Sequence, residues 1–204
     1  MLRRVFRFIF LSAAIISIPF LPQTTAACGH DGFFLGAGYE QLFMVTPESQ
    51  LGLGNTGRVT FGPGYGADLV FGYDFCGSRW GIQLPIEYSR LKLNGSEWVN
   101  YIGSSLEAIF RVAEWRNGLD FHLVGGIGGS YLSEGKVSNN TASAGFNVGV
   151  GPGIAYFFSR TEKLTAAIAA ELPIRFQYFI GNHLSANGTS AIAFPLRLSL
   201  QLGF

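Results

Sequence analysis

The chain has 204 residues, of which 28 are glycine, 15% are aromatic and 13% are charged, and its formal net charge is +1. This length is typical of a single domain. The near-neutral charge gives no case for a nucleic-acid partner.

The first residues have the pattern of a secretory signal peptide. Three arginines within the first seven residues precede an apolar run at 8–21, and the small residues Thr25-Ala26-Ala27 follow. A membrane anchor is the alternative, but the run is shorter than the about 20 residues that a spanning helix needs. We therefore expect residues 1–27 to be a cleaved signal peptide and residues 28–204 to be the mature domain.

Cys28 and Cys76 are the only cysteines of the chain. After export, both would be in an oxidising compartment. Cys28 precedes the first predicted strand and Cys76 lies in the turn after the second, so both should lie at the same end of two neighbouring strands. A disulfide between them is therefore predicted. Lipidation of Cys28 is the alternative, but Thr25 stands where the bacterial lipobox usually has leucine.

Eight stretches between Phe33 and Phe204 alternate between apolar and polar residues. Each is long enough to cross a membrane as a tilted strand, for which about 9 to 11 residues suffice. In the first stretch, the apolar face carries Phe33, Leu35, Ala37, Tyr39 and Phe43, and the other face carries Gly36, Gly38 and Glu40. The second is predicted to place Phe61 on the apolar face with Tyr65 and Leu69. The alternation continues through stretches at 80–88, 101–112, 119–131, 146–158, 164–178 and 192–204.

Charged residues within these stretches lie on the face opposite the large apolar side chains. They are Glu40, Asp68, Glu87, Glu107, Glu171, Arg175 and Arg197. A soluble sandwich would expose this charged face to water, but glycines crowd it and are too small to coat a solvated surface. The pattern instead predicts an all-β fold, an eight-stranded antiparallel up-and-down transmembrane β-barrel with lipid outside and the charges in the lumen.

The last stretch ends in outward Leu198, Leu200, Leu202 and the aromatic Phe204. This pattern resembles the C-terminal insertion signal of bacterial outer-membrane β-barrels, which the barrel-assembly machinery recognises. The whole mature chain resembles the small barrels of the opacity-protein and outer-membrane protein A or X type. The resemblance implies a bacterial outer-membrane location, with a structural or adhesive role and no cofactor or metal. Implied partners are outer-membrane lipid and lipopolysaccharide, the assembly machinery, periplasmic chaperones and a host or cell-surface ligand.

Connections between the stretches alternate between short turns and longer polar loops, and short turns face the periplasm in such barrels. An eight-stranded barrel has a lumen just wide enough for side chains to fill it, so we expect the inward charges to form a plug. Glu171 and Arg197 lie at similar heights on neighbouring strands, and closure of the barrel brings Glu40 beside them, which predicts a Glu–Arg–Glu cluster. Because the acids outnumber the arginines, a narrow, porin-like, cation-favouring channel is the alternative.

Two further patterns concern the outer rim. His183-Leu184-Ser185 has the His-x-Ser spacing of a lipid A deacylase, but no carboxylate follows to orient the imidazole, so we predict no catalytic residues and keep a lipid A-modifying enzyme as an alternative. Arg90 and Lys92 continue the outward face past Tyr88, above the lipid band, where they could contact lipopolysaccharide phosphates. A solvated loop flank is the other interpretation of these two residues.

Overall fold

The computed structural model describes residues 32–46, 60–75, 77–93, 95, 97–115, 117–134, 142–160, 164–180 and 189–204. Within these ranges the chain forms nine strands: β1 (Gly32–Val45), β2 (Gly64–Asp74), β3 (Trp80–Leu93), β4 (Glu97–Glu114), β5 (Leu119–Glu134), β6 (Ala142–Arg160), β7 (Thr165–Glu171), β8 (Ile174–Ile180) and β9 (Thr189–Gly203). The described ranges contain no helix that is long and apolar enough to span a membrane.

The strands form one antiparallel sheet that closes on itself. Each strand pairs with the next along the chain from β1 to β7, and β9 pairs back onto β1. In that closing ladder, Phe34 lies opposite Gly203, Glu40 opposite Arg197 and Val45 opposite Ile192. The predicted up-and-down barrel is therefore confirmed, and the sheet has no free edge.

The segments β7 and β8 are two halves of one membrane-length strand. Glu171 of β7 pairs with Arg197 and Arg175 of β8 pairs with Ala193, so both halves keep a single register against β9. That register places Pro173 opposite Pro195. Neither proline has an N–H to donate, so the ladder is interrupted there. The barrel thus has eight strands in the sense that the alternation predicts.

Two of the connections are tight turns at the end of the barrel that also holds both ends of the described chain. The amide of Ser78 donates to the carbonyl of Phe75 at 3.0 Å, and that of Gly118 donates to the carbonyl of Trp115 at 3.0 Å. Gly118 has a φ of 90°, which a side chain would disfavour. We call this the short-turn end and the opposite one the long-loop end.

The outer surface of the cylinder is apolar around its whole circumference. Along β3 every second side chain is exposed, in a strict alternation from Trp80 to Leu93. At mid-height, Leu106 is 60% exposed and its neighbour Ile127 is 68% exposed. Aromatic pairs lie near both ends, with Phe33 and Tyr73 at 4.9 Å near the short turns and Phe146 and Tyr178 at 5.6 Å near the long loops. Isolated exposed apolar residues are common in soluble proteins, whereas a continuous belt of them is not.

The interior is divided into two layers, which the sequence analysis did not predict. At the long-loop end the inward side chains form a buried apolar cluster, which we call the apolar layer: Leu42, Met44, Leu91, Leu93, Val99, Tyr101, Leu132, Phe179, Ala191 and Ala193. Phe61, predicted to face outward, is partly buried and packs against this layer, so that prediction is wrong. Phe61 forms only an isolated bridge to Leu93, before β2 begins, so the alternation of β2 does not extend to it.

Candidate functional site

Charged side chains fill the middle of the lumen, between the apolar layer and the short-turn end. Arg175 of β8 crosses the lumen to Glu87 of β3 and binds both carboxylate oxygens, at 2.5 and 2.7 Å. Its Nη2 also donates to Glu107 of β4 at 2.8 Å. A guanidinium matches a carboxylate in this two-point geometry, which is why arginine suits a buried ion pair.

Arg197 of β9 extends the same contacts toward the short-turn end. Its Nη2 lies 2.6 Å from Glu171 and 2.8 Å from Glu107, and its Nη1 lies 3.4 Å from Glu87. Gln83 is uncharged and binds two of these carboxylates, since its side-chain amide donates to Glu107 at 2.9 Å and to Glu171 at 3.1 Å. We call Glu87, Glu107, Glu171, Arg175 and Arg197 the ionic network. All five side chains are buried.

A second group of charges lies between the ionic network and the short-turn end. His122 Nε2 lies 3.2 Å from Glu171, and its Nδ1 lies 3.8 Å from Asp120. Arg111 then joins Asp120 at 2.8 Å to Asp74 at 2.6 Å. The predicted site residues did not include Asp74, Arg111, Asp120 or His122. Their inward alternation on β2, β4 and β5 was the signal that could have found them.

The two remaining acids of the predicted cluster differ from the others. Glu40 is opposite Arg197 in the β1–β9 ladder, as barrel closure predicts, but its contact is a hydrogen bond from Ser89 at 2.8 Å. The second carboxylate on Arg197 is Glu107 instead. Glu40 Oε2 and both oxygens of Asp68 are buried without a hydrogen-bond partner among the described residues. The Asp68 side chain lies close to Gly38, and a Cβ added at Gly38 would be 2.8 Å from Asp68 Oδ1.

The chemistry of the lumen is that of a charged core. Among the described residues it holds seven buried carboxylates, from Glu40, Asp68, Asp74, Glu87, Glu107, Asp120 and Glu171, and three arginines, Arg111, Arg175 and Arg197. The described part of the chain contains no group of three or more side chains suited to hold a metal ion. The carboxylates of the ionic network are engaged by arginines. A pairing of this kind holds groups in place rather than leaving a base free to act.

The remaining predicted site residues lie elsewhere. Leu198, Leu200 and Leu202 of β9 and Phe204 after it are exposed on the outer surface. Arg90 and Lys92 are also exposed on the outer surface, at the long-loop end of β3. The signal peptide at 1–27, the cysteines Cys28 and Cys76, and His183 and Ser185 lie outside the described residues.

A closed antiparallel barrel of eight membrane-length strands, apolar outside and charged inside, defines the class of small outer-membrane β-barrels. Solved structures agree with this class. The chain is similar to Neisserial surface protein A, with a TM-score of 0.58 and 16% identity over 86% of this chain and 99% of that one. It is also similar to the outer membrane protein OprG from Pseudomonas aeruginosa, with a TM-score of 0.53 and 14% identity over 88% of this chain and 99% of that one.

No protein-family model and no curated protein matches the chain. At these identities, the similarity to the two solved structures establishes the fold. The chain has the fold of the small eight-stranded outer-membrane barrels, as the resemblance of its sequence predicted.

Proposed function

We propose that the protein is an integral barrel of the bacterial outer membrane whose lumen is closed by its own side chains, with a structural or adhesive role at the cell surface and no catalytic activity. The observation that carries this proposal is the separation of charge. The ionic network is buried inside the cylinder, and the outer surface at the same height is apolar. Only hydrocarbon around a closed barrel makes both faces favourable at once.

The two interior layers support a closed lumen. An ion entering from the long-loop end would first meet the apolar layer, where Leu42, Leu91, Tyr101 and Phe179 are each no more than 1% exposed. It would then meet arginines that already bind the carboxylates of the ionic network. Losing hydration in the first layer and displacing an arginine in the second are both unfavourable. The interior therefore favours rigidity over conduction.

The proposed partners follow from the outer surface. An apolar belt requires outer-membrane lipid around it. We propose that periplasmic chaperones and the barrel-assembly machinery handle the unfolded chain, and that outward Leu198, Leu200 and Leu202 on β9 take part in that recognition. A host or cell-surface ligand would meet the long-loop end.

Heat-dependent electrophoresis and planar-bilayer recording test this proposal together. The refolded protein should enter lipid vesicles, migrate as a compact band before boiling and shift after boiling, because a closed hydrogen-bonded barrel resists detergent. Bilayers containing it should then stay electrically silent across salt concentrations. A protein that is monomeric and soluble without detergent, or discrete conductance steps from the folded barrel, would contradict the proposal.

A narrow cation-favouring path is the second candidate, and one observation favours it. Glu40 and Asp68 lie on adjacent strands β1 and β2. Glu40 Oε2 and both oxygens of Asp68 have no hydrogen-bond partner among the described residues, and the buried acids outnumber the arginines. If this path conducts, Asp68→Asn should lower the cation conductance of the folded protein, whereas Asn100→Asp on the outer surface should not. Silent recordings from the wild type would eliminate this candidate.

A further inference from the structure

A small aromatic and basic cluster lies on the outer surface of β2, β3 and β4 at the long-loop end. Arg90 and Lys92 both lie over the ring of Trp98, at 5.4 and 5.2 Å from its centroid. Tyr65 packs edge-on against the same ring at 5.9 Å. The ladders explain this arrangement, since Arg90 is opposite Tyr65 and Lys92 is opposite Trp98. The single indole therefore holds two cations on one side of the barrel.

Within the described ranges, no carboxylate neutralises the two cations of this cluster. Among the described residues, neither Arg90 nor Lys92 forms an ion pair with a carboxylate, in contrast to Arg111, Arg175 and Arg197 in the lumen. A cation–π contact stabilises each cation but leaves its charge in place. Two like charges over one ring repel each other, so an anion placed between them would be stabilised.

The height of the cluster matches the edge of the hydrocarbon. The outward positions of β3 run from Trp80 through Ile82, Leu84, Ile86 and Tyr88 to Arg90. Ten residues at about 3.3 Å each, on a strand tilted by about 40°, rise about 25 Å, which is the usual height of the apolar band. If Trp80 lies at one interface, Arg90 and Lys92 lie at the other, where lipid headgroups begin.

We propose that Arg90, Lys92 and Trp98 form a binding site for the phosphate groups of lipid A, the phosphorylated glycolipid of the outer leaflet. This inference rests on the orientation in the proposed function, with the long loops outside. Lipid A is the occupant because its two phosphates are carried on a rigid sugar pair, whereas a phospholipid offers one phosphate on a flexible headgroup. Arg90 and Lys92 donate to the phosphates, and their cation–π contacts with Trp98 hold the two side chains side by side.

Native mass spectrometry of the folded, detergent-solubilised full chain tests this site. Bisphosphorylated lipid A should remain bound to the wild type, and the double variant Arg90→Gln/Lys92→Gln should raise its apparent Kd about tenfold or more, since two charge-assisted contacts are lost. Arg79→Gln is the matched control, because it removes a basic residue at the short-turn end. It should leave the apparent Kd within about twofold of wild type.

The probes distinguish lipid A from other phosphates. Dephosphorylated lipid A and phosphatidylglycerol should bind at least about tenfold more weakly than bisphosphorylated lipid A, and inorganic phosphate alone should not compete at the same concentration. Equal binding of any of these probes, or an unchanged Kd for the double variant, overturns the inference. A wild-type barrel that inserts into vesicles and shifts on boiling, yet binds no lipid A, overturns this site and leaves the proposed function standing.

Discussion

The two halves of the lumen use different physics to fill the same width of barrel. At the long-loop end, Leu42, Leu91 and Phe179 pack as an apolar core, whereas at mid-height Arg175 and Arg197 are held by acids from three other strands. In an apolar layer, the cost of truncating a side chain grows with the volume of the cavity that is left. A buried charge that loses its partner has neither an ion pair nor water to stabilise it. Charge pairing therefore governs the stability of the middle of this barrel, and packing governs that of its long-loop end.

The largest effect is expected from removing one charge of the ionic network. Arg175→Met leaves Glu87 buried without its two-point partner, and should lower the free energy of unfolding by about 3 to 5 kcal/mol. The double variant Arg175→Met/Glu87→Gln should lose less than the single one, because no ionised carboxylate is stranded. Urea unfolding in lipid vesicles measures both values. A loss under about 1 kcal/mol for the single variant would show that the network does not govern the middle.

A comparable loss is expected from a truncation in the apolar layer. Phe179→Ala should cost about 3 to 5 kcal/mol, because Phe179 is fully buried and its removal leaves a cavity. The adjacent outward residue Ile180 is the matched control. Ile180→Ala should cost less, since lipid chains can fill the space it leaves. Equal costs in the same vesicle assay would mean that the apolar layer is loosely packed.

On the outer surface, a charge should be tolerated only near the rims. Ile127→Arg at mid-height should lower stability by about 2 to 4 kcal/mol, whereas Tyr131→Arg nearer the long-loop end should cost about 0 to 1 kcal/mol. Both residues lie on β5 and face outward. Thermodynamic measurements in vesicles should therefore show a depth gradient. The same cost at both positions would argue against hydrocarbon at the barrel surface.

The smallest effect is expected at the acid without a partner. Asp68→Asn keeps the shape of the side chain and removes a buried carboxylate whose oxygens have no hydrogen-bond partner among the described residues, so stability should stay within about 1 kcal/mol of wild type or increase. Glu107→Gln, which weakens contacts with both arginines of the ionic network, should lose more. If Asp68→Asn proved the more damaging substitution, Asp68 would have a partner that this account lacks.

Alternation predicted the fold well because it is local. The inward faces of Glu40, Asp68 and Glu87 follow from a period of two, and the contact between Glu171 and Arg197 follows from their neighbouring strands. Contacts across the lumen, such as Arg175 with Glu87, depend on the shear of the closed barrel, which a single sequence does not encode. The interruption of the ladder at Pro173 could be predicted only from the register against β9, which places Pro195 opposite it.

The apolar layer was missed for a related reason. Leu91, Leu93 and Val99 occupy inward positions, but near strand ends an apolar residue on the polar face resembles an irregularity in the pattern rather than a layer. Only the closed barrel brings such residues from β1, β3, β4, β5, β8 and β9 to one height. The cluster of Arg90 and Lys92 on Trp98 likewise needed the β3–β4 register, although the basic pair itself was visible in the sequence.

Hydrocarbon must surround the outward side chains if the barrel spans a membrane, and depth-dependent fluorescence quenching tests this directly. In a background where Trp80, Trp98 and Trp115 are replaced by phenylalanine, Leu106→Trp places one indole at mid-height on the outer surface. Lipids brominated near the chain ends should quench it strongly, while the native Trp98, kept as the sole tryptophan, should be quenched best by bromines near the headgroup. Fluorescence at position 106 that deep bromines leave unchanged would contradict the account.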